Sequence, residues 1–515
     1  MGLVNSPAAA AAGAERASLV KSRFRPLLVG AIAAIAIPLL LFLWPAGGTF
    51  LYDDASMIIY NVGSLEHLVR SFVELRDGFY RPVYEIAIGL EGLLFGLNPV
   101  PYHLVSILLH IACTWCVYRI AQARTGRLPA TLAALLFWGG GTHVEAIFWV
   151  SAVNSQLAAL GCLAGTLALQ RAGAAPDSRS ADRWLAVGIA AWLLGVLAKE
   201  NAFTWPLAMA ALWCIEGGGL APLRPGWRRR FLLPAVALMA VYAPLRLLAG
   251  TSYNLVVTPL LLLKNSAYYA VSYLSTLPDD YRYLSDLSAW QNAPWLGLAC
   301  LVGLLPGLLW LVRRRRQLAF PKATAWLVWS ALLTLPSLPI LAEREGYLPA
   351  AGVSLALAAL LAPVLRNWRP AQNSLTSLGA VALIALFGAN WLGLAERSYW
   401  WNEAAGGSQL LVAQTVPIIR ADPPETVLAV FNVPDRAGFA HVQGGHFSWT
   451  VSLFSAGQVA SGRTVVRTAP NDGFYTAEEA VTEAKRRFGT GAQARPVRVL
   501  VFQGYKLALS QLVVP

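Results

Sequence analysis

The sequence is poor in charged residues: only 13% of its 515 residues are Asp, Glu, Lys or Arg, whereas 57% are hydrophobic. A typical soluble protein carries about a quarter charged residues. The chain therefore has too few polar side chains to cover a water-facing surface, and its composition excludes a soluble globular enzyme. It also excludes a disordered chain, a collagen and a coiled coil. The composition predicts an all-α polytopic membrane protein.

Cysteine is scarce as well, with five residues that all fall inside apolar runs. Cys113 and Cys116 form a CxxC pair, but no second pair follows it. We interpret these cysteines as small apolar packing residues rather than as a metal or redox site. The region after residue 395 contains no cysteine, so it has no disulfide framework.

About eleven apolar runs approach the 20 or so residues that a membrane-spanning helix needs. They are residues 26–45, 101–119, 128–149, 155–170, 184–199, 202–216, 231–249, 295–312, 323–341, 347–365 and 374–394. Trp44-Pro45 ends the first run, where a signal peptide would have small residues for cleavage. We therefore predict that the first run is a retained anchor.

Positive charges predict the orientation of these helices, since cytoplasmic loops collect Lys and Arg. If residues 1–25 form a cytoplasmic tail, the inner segments carry 21 Lys and Arg and the short outer segments carry 7. This bias explains the net charge of +13 without a nucleic-acid partner. With 34 Arg against 6 Lys and many alanines, the composition also suggests a bacterial protein of the inner (plasma) membrane.

Two outer regions interrupt the predicted transmembrane domain of residues 26–395. The first outer loop, 46–100, holds seven acidic residues, and its part 82–97 has the apolar spacing of a helix lying on the membrane. In the second, 250–294, the stretch 255–277 is apolar but broken by Pro259, Lys264 and Asn265. We interpret it as an interfacial or re-entrant helix against membrane lipids.

The pattern of residues 396–515 predicts a small α+β domain outside the membrane, on the extracytoplasmic side. A helix is expected over 399–418 and a charged helix near 476–488, with alternating strands at 426–433 and 497–504. Gly444, Gly445, His446 and Trp449 form either a glycan contact or a glycine turn beside a core tryptophan.

Charged residues from separate parts of the chain are predicted to lie at one membrane depth. Adjacent carboxylates such as Asp53 and Asp54 separate their pKa values, which can leave one of them poised as a base. Arg suits phosphate because its planar fork donates two hydrogen bonds. The other charged or polar candidates are Arg81, His143, Glu145, Lys199, Glu200, Glu343, Arg344 and Glu345.

Each of these patterns also has a purely structural interpretation. The Asp pair could cap a helix or form a solvated turn, and His143 with Glu145 could cap a helix end. Lys199 and Glu200 could pair with each other. Residues 343–345 could form a solvated hairpin, and His103 with His110 could be packing residues on one helix face. The convergence of the groups is what favours a site for a charged substrate.

The order of these residues resembles the GT-C superfamily of polyprenyl-phosphate-sugar-dependent glycosyltransferases, and especially the transmembrane O-mannosyltransferases with tetratricopeptide repeats and their bacterial relatives. The matching positions span residues 50–365, but the tail shows no tetratricopeptide signature. They are Asp53-Asp54 with Asn61, Tyr80-Arg81-Pro82, residues 96–104 including His103, His110, His143 with Glu145 and Trp149, Lys199-Glu200, and residues 342–350 including Glu343, Arg344 and Tyr347.

The resemblance implies a site at the outer membrane face, a sugar donor on a polyprenyl phosphate and inversion at the anomeric carbon. Asp53 or Asp54 would be the general base for an acceptor hydroxyl, and Glu145 a second acid. Arg344, followed by Arg81 and Lys199, would bind donor phosphate, with His143, Glu200, Glu343, Tyr347 and His103 in support. Asp53, Asp54 and Glu145 would suit Mg²⁺ or Mn²⁺, and the sequence leaves the metal open.

Two other function classes stay open. A transporter or flippase for a lipid-linked sugar would also line a cavity with polar groups, although transporters usually show internal repeats. A non-catalytic membrane scaffold would present residues 396–515 outside. Whether the acceptor is a glycan, a lipid or a protein is not readable from the sequence.

Overall fold

The structure is a computed structural model of the whole chain. It describes residues 30, 32–61, 69–73, 79–140, 143–215, 227–248, 257–273, 319–340, 342–366, 374–423, 426–437, 440–455, 464–469, 474–488 and 495–513. The predicted cytoplasmic tail 1–25, the predicted span 295–312 and most of the outer loop 250–294 lie outside these residues.

Helices dominate the described chain up to residue 421. They are α1 (Ile32–Gly47), α2 (Asp54–Asn61), α3 (Pro82–Phe95), α4 (Pro99–Thr125), α5 (Arg127–Trp138), α6 (Val144–Phe148), α7 (Val153–Gly173), α8 (Ser178–Ala198), α9 (Trp205–Ile215), α10 (Trp227–Leu248), α11 (Pro259–Ser272), α12 (Phe320–Thr334), α13 (Tyr347–Arg366) and α14 (Ser374–Ala421). Short 3-10 turns at Val150–Ala152, Glu200–Thr204, Leu335–Ser337 and Glu343–Gly346 connect several of them.

Four helical stretches among the described residues are long and apolar enough to cross a membrane. They are Pro99–Thr125, Val150–Gly173, Ser178–Ala198 and Glu343–Leu365. The mostly helical, apolar architecture supports an integral membrane protein. The count of eleven spans and the orientation remain predictions.

The predicted span 128–149 is not one continuous helix. Helix α5 ends at Trp138, and Gly139 caps it through an N–H bond to the Leu135 carbonyl. Glycine is the least favourable residue for a helix interior after proline, so the Gly139–Gly141 run stops the helix. The short helix α6 follows and carries Glu145 outside α5.

The predicted elements 374–394 and 399–418 form one helix instead of two. Helix α14 runs for 48 residues from Ser374 to Ala421. The polar residues between the two predictions do not break it, because the Arg397 side chain is buried and bonds Glu343. This helix leads directly from the apolar region into the C-terminal domain.

Helix α11 (Pro259–Ser272) lies within the interrupted stretch 255–277. Its 14 residues rise by about 21 Å, less than a bilayer core of about 30 Å. The Asn265 side chain donates to the Leu338 carbonyl at 2.7 Å, and the Tyr269 hydroxyl donates to the Ile340 carbonyl at 2.6 Å. The helix therefore supports the segment that precedes Glu343–Gly346, and its depth in the membrane stays a prediction.

The helix predicted at 82–97 is present as α3, and both of its acidic residues, Glu85 and Glu91, are buried. Leu90, Leu93 and Leu94 are exposed on it. Those leucines suit a lipid-facing surface, whereas the carboxylates turn toward the protein.

Close packing of α7 against α8 sets the position of charged residues at their ends. A Cβ atom on Gly161 would lie 2.5 Å from the Ala191 carbonyl oxygen, so the helices meet backbone to backbone. The antiparallel pair brings the start of α7 beside the end of α8. There the Lys199 ammonium donates to the Ser155 hydroxyl at 2.8 Å.

The C-terminal domain contains a four-stranded sheet in the order β4-β1-β5-β6. Its strands are β1 (Val427–Pro434), β4 (Thr464–Ala469), β5 (Val497–Gln503) and β6 (Lys506–Val513), and a small pair is formed by β2 (Arg436–Ala437) and β3 (Ala440–His441). β1 pairs in parallel with β4 and β5, because helices α15 (Phe447–Phe454) and α16 (Ala477–Phe488) make the crossovers. The predicted strands 426–433 and 497–504 and the helix near 476–488 are confirmed.

Alternate residues of β1 face two separate cores. Leu428 and Val430 pack in a cluster with Phe42, Trp401 and other residues of the helical region. Val427 and Ala429 face the opposite side and pack with α16. The sheet is thus docked on the helical region through one face, at the level of the loop that carries the Asp pair.

Candidate functional site

The loop between α1 and α2 presents Asp53 and Asp54 in different environments. Asp54 begins α2 and is fully buried, and both of its oxygens accept main-chain N–H groups. Leu51 N donates to Oδ2 at 2.9 Å, and Ser151 N donates to Oδ1 at 2.7 Å. Asp53 is only partly buried, and its Oδ1 accepts the Ser151 hydroxyl at 2.5 Å. Neither N–H group that Asp54 accepts belongs to α2, so its carboxylate ties the loop to Ser151 rather than capping the helix, while Asp53 bonds the Ser151 side chain.

Burial raises the pKa of both carboxyl groups. For Asp54 the neighbouring Asp53 charge raises the pKa further, and the shift is large. For Asp53 the hydrogen bond from Ser151 and the charges of His446 and Arg344 partly offset the effect of burial on the pKa. A carboxyl of raised pKa that stays near positive groups is suited to accept a proton.

Glu145 and Arg344 form a two-point ion pair beside the Asp pair. Arg344 N donates to Glu145 Oε2 at 2.9 Å, and its guanidinium Nη1 donates to Oε1. The guanidinium carbon lies 4.6 Å from the centroid of the Trp149 ring. Because α6 carries Glu145 and the residues just after it are Trp149 and Ser151, one short segment holds Arg344 and binds both Asp residues.

Two further ion pairs hold four more of the predicted charges, which are Arg81, Lys199, Glu200 and Glu345. The Lys199 ammonium donates to Glu345 Oε1 at 2.5 Å, and the Ser337 hydroxyl donates to Glu345 Oε2 at 3.0 Å. Arg81 donates Nε and Nη2 to the two oxygens of Glu200, at 2.8 and 2.6 Å. Lys199 and Glu200 therefore do not pair with each other.

Burial and ion pairing act in opposite directions on the pKa values of these paired groups. Burial opposes the charge of Glu200, but Arg81 outweighs it and lowers the pKa to about 2. Burial also opposes the charge of Glu145, and Arg344 with His441 still lowers its pKa. Burial lowers the pKa of Lys199 despite the attraction of Glu345. The lowered pKa values favour the charged forms of Glu145 and Glu200, whereas burial disfavours the charged forms of the Asp pair.

Glu343 belongs to the same turn but bonds to α14. Its Oε1 accepts Nε and Nη2 of Arg397 at 2.8 and 2.6 Å. The turn 343–345 is therefore an anchored segment and not a solvated hairpin. Arg397 was not among the sequence candidates, because the residues around it match none of the motifs that marked the other charged residues.

His143 and Tyr347 lie in an aromatic cluster next to these ion pairs. His110 Nδ1 is 2.7 Å from the Tyr347 hydroxyl, and the His143 and Tyr347 ring centroids are 4.8 Å apart. His143 also lines a small cleft with Gly140, Tyr273, Ser354 and Asn390 among others. His103 is buried in α4, seven residues before His110.

The C-terminal domain contributes residues to the site. The Tyr52 ring lies 4.7 Å from the His441 ring and 4.3 Å from the His446 ring, between centroids. Tyr52 N donates to the Val442 carbonyl at 2.6 Å. The sequence had offered His446 only as a glycan contact or turn residue, and His441 and Val442 not at all.

The donor atoms do not fit the divalent cation proposed for Asp53, Asp54 and Glu145. Both Asp54 oxygens are bonded to main-chain N–H groups, and both Glu145 oxygens are bonded to Arg344. Across the described part of the chain, no three His, Cys, Asp or Glu residues are placed to hold a metal. We therefore assign no step to a metal.

Comparison with known proteins supports a resemblance over part of the chain. No family model matches. The protein O-mannosyl-transferase Tmtc2 of Drosophila melanogaster is 32% identical over 200 residues, covering 36% of this chain and 21% of the relative. The protein O-mannosyl-transferase tmtc2 of Xenopus laevis is 32% identical over 133 residues, covering 23% of this chain and 16% of the relative. The match thus spans about a fifth of these relatives' own length or less, and it confirms the resemblance inferred from the motifs.

Two solved structures align with most of the chain at low similarity. ArnT from Cupriavidus metallidurans bound to undecaprenyl phosphate has a TM-score of 0.45 and 14% identity, covering 91% of this chain and 92% of that chain. The apo oligosaccharyltransferase of Archaeoglobus fulgidus has a TM-score of 0.45 and 13% identity, covering 91% and 69%. These similarities are too distant to transfer a residue or a ligand.

Proposed function

We propose that this chain is a membrane glycosyltransferase that moves a sugar from a polyprenyl-phosphate-linked donor to an acceptor hydroxyl, with Asp53 as general base. The observation that carries the proposal is the unequal bonding of the two adjacent carboxylates. Asp54 is saturated by main-chain N–H groups, while Asp53 has one oxygen bonded by Ser151 and is partly exposed. The sequence relatives named O-mannosyl-transferases support the reaction class.

In this reaction Asp53 takes the proton of the acceptor hydroxyl while the acceptor oxygen attacks the anomeric carbon. The bond from that carbon to the phosphate oxygen breaks, and the electron pair leaves with the polyprenyl phosphate. Attack opposite the leaving group inverts the anomeric carbon. Asp54 stabilises the loop through its two main-chain bonds and keeps Asp53 in place.

Arg344 is the proposed partner of the departing phosphate. Charge develops on the leaving oxygen, and a cation already oriented there stabilises it without reorganisation. Glu145 supplies that orientation, since it fixes both the main chain and the guanidinium of Arg344. Arg344 interacts electrostatically with Asp53, whereas Arg81 and Lys199 pair with Glu200 and Glu345, so we assign Arg81 and Lys199 to the positive field around the donor rather than to direct contact.

The donor is proposed to enter from the bilayer, and the site to face the extracytoplasmic side of a bacterial membrane. A lipid carrier requires a site at the membrane surface, and the charged residues cluster at the ends of apolar helices.

The test is turnover of synthetic polyprenyl-phosphate sugars by the purified full-length protein. Sugar release and transfer would be measured for wild type, Asp53→Asn and Asp54→Asn, with and without a chelator. Asp182→Asn is the matched control, since Asp182 is exposed and pairs with the exposed Arg230. Wild type should turn over at least one donor, unaffected by the chelator.

Asp53→Asn should lower kcat by about 10²–10⁴-fold, the usual contribution of a general base. Asp54→Asn should lower thermal stability. The asparagine amide has one acceptor oxygen, so one of the two main-chain N–H groups would lose its partner. Equal binding of a lipid-linked sugar to all variants without any turnover would contradict the proposal. That result would favour a transporter.

A further inference from the structure

The loop that carries the proposed base has an unfavourable backbone conformation at one residue, Tyr52. Tyr52, immediately before Asp53, has a φ of +44°, in the left-handed region that residues other than glycine rarely adopt. Such a conformation persists only where the surroundings enforce it. The contacts that hold this loop are therefore informative about what places Asp53.

Those contacts come from the C-terminal domain and from α14. Tyr52 N donates to the Val442 carbonyl at 2.6 Å. The Phe50 carbonyl accepts the Gln443 side-chain amide at 2.9 Å and the Ser408 hydroxyl at 3.1 Å. Main-chain groups on both sides of Leu51 are thus bound by residues more than 350 positions away in sequence.

Gln443 is built into this contact. It is fully buried, its Nε2 also lies 2.5 Å from the Ser408 hydroxyl, and its Oε1 accepts the Thr450 hydroxyl at 2.6 Å. A buried amide with both ends bonded has one stable orientation. Gln443 is therefore a rigid bridge between the C-terminal domain and the Asp53 loop.

Two histidines of the same segment face the carboxylates of the site. His446 lies against Tyr52 and interacts electrostatically with Asp53. His441 lies 4.9 Å from the Trp149 ring, between centroids, and interacts with Glu145. The segment thus reaches both the proposed base and the counterion of Arg344.

We infer that residues 440–446 of the C-terminal domain complete the active site, with Gln443 acting as a positioning residue for Asp53. The inference rests on the proposed function. It distinguishes the C-terminal domain from a tether or a remote acceptor-binding module, since it makes the domain necessary for the geometry of the base itself.

The experiment compares Gln443→Leu with wild type in the full-length protein. Gln511→Leu is the matched control, because Gln511 is exposed on β6. The first measurement is hydrogen–deuterium exchange of the peptide that contains Tyr52. Gln443→Leu should speed exchange there by at least about tenfold, whereas Gln511→Leu should leave it unchanged. This readout does not depend on any donor, so it tests the positioning even if the proposed function fails.

The second measurement is kinetic. Gln443→Leu should lower kcat by about 10–100-fold, because a small displacement of a reacting group costs up to about 100-fold in rate. Its affinity for the polyprenyl-phosphate sugar should change less than twofold. In the Asp53→Asn background the same substitution should have no further effect on kcat, since residues acting as one unit are not additive.

Two results would overturn the inference. Unchanged exchange at Tyr52 in Gln443→Leu would show that Gln443 does not hold the loop. An undiminished effect of Gln443→Leu on kcat in the Asp53→Asn background would show that it acts through the acceptor or through folding instead.

Discussion

Arg344 is bound by Glu145 through both its main-chain N–H and its guanidinium. The side chain is thereby fixed at two points, and the Trp149 ring lies against its face. A lysine at this position could keep the charge but not the planar fork. Glu145 therefore fixes the orientation of the Arg344 guanidinium as well as balancing its charge.

Arg344→Lys should lower kcat/KM by about 10²–10³-fold, the usual loss when one preorganised donor to a developing charge is removed. Initial rates at several donor concentrations measure it. Arg230→Lys is the control, since Arg230 is exposed and pairs with Asp182. A loss smaller than about fivefold would mean that the departing phosphate contacts another cation.

The pH dependence follows from the raised pKa of Asp53. Burial disfavours its charged form, so the base becomes ionised only above the ordinary value for aspartate, about 3.9. The acid limb of kcat/KM should therefore lie above that value, with activity lost as pH falls through it. Ser151→Ala removes a donor to the charged form and should move the limb to still higher pH.

A profile of kcat/KM against pH checks this prediction in both proteins. Ser448→Ala serves as a control, because Ser448 is a buried serine of helix α15, whereas Ser151 is the serine that donates to Asp53 Oδ1. An acid limb that Ser151→Ala leaves in place would argue that another group titrates.

Lys199 illustrates how strongly the surrounding network depends on its pairs. Lys199 and Glu345 are both nearly inaccessible, so Lys199→Met would leave a buried carboxylate without its cation. Removal of one partner of a buried pair costs about 3–5 kcal/mol. We expect a clear drop in the thermal denaturation temperature in detergent, and a partial recovery in Lys199→Met/Glu345→Gln. No recovery in the double variant would indicate that Lys199 stabilises the fold through Ser155 instead.

The sequence singled out the charged residues that the structure joins in ion pairs, because charges are rare in an apolar chain; their role in a site stays a prediction. Arg81, Glu145, Lys199 and Arg344 all lie at helix ends, where the structure joins them in ion pairs. It could not predict which carboxylate each cation binds. Lys199 and Glu200 are neighbours in sequence, but each pairs with a residue more than 100 positions away.

The contribution of the C-terminal domain was not predictable from local patterns. Val442 acts through its carbonyl and Gln443 through an amide, and neither group belongs to a motif. The strands of that domain were predictable, because alternating apolar residues indicate a two-faced sheet. Two predicted helix boundaries were wrong for opposite reasons: the glycine after Trp138 ends α5 inside the predicted span, whereas the polar residues near Arg397 do not interrupt α14.

Because α14 is continuous, the number of residues in it determines how the C-terminal domain is rotated about the helix axis. Its 48 residues would extend about 72 Å, and each residue turns the helix by about 100°. One residue deleted between Arg397 and Ser408 would therefore swing the sheet around the helix axis by roughly a quarter turn. A deletion of seven residues, close to two full turns, would restore the angle but shift the domain along the axis by about 10 Å. The distance from Gln443 to Phe50 is thus set by a count of residues as much as by their chemistry.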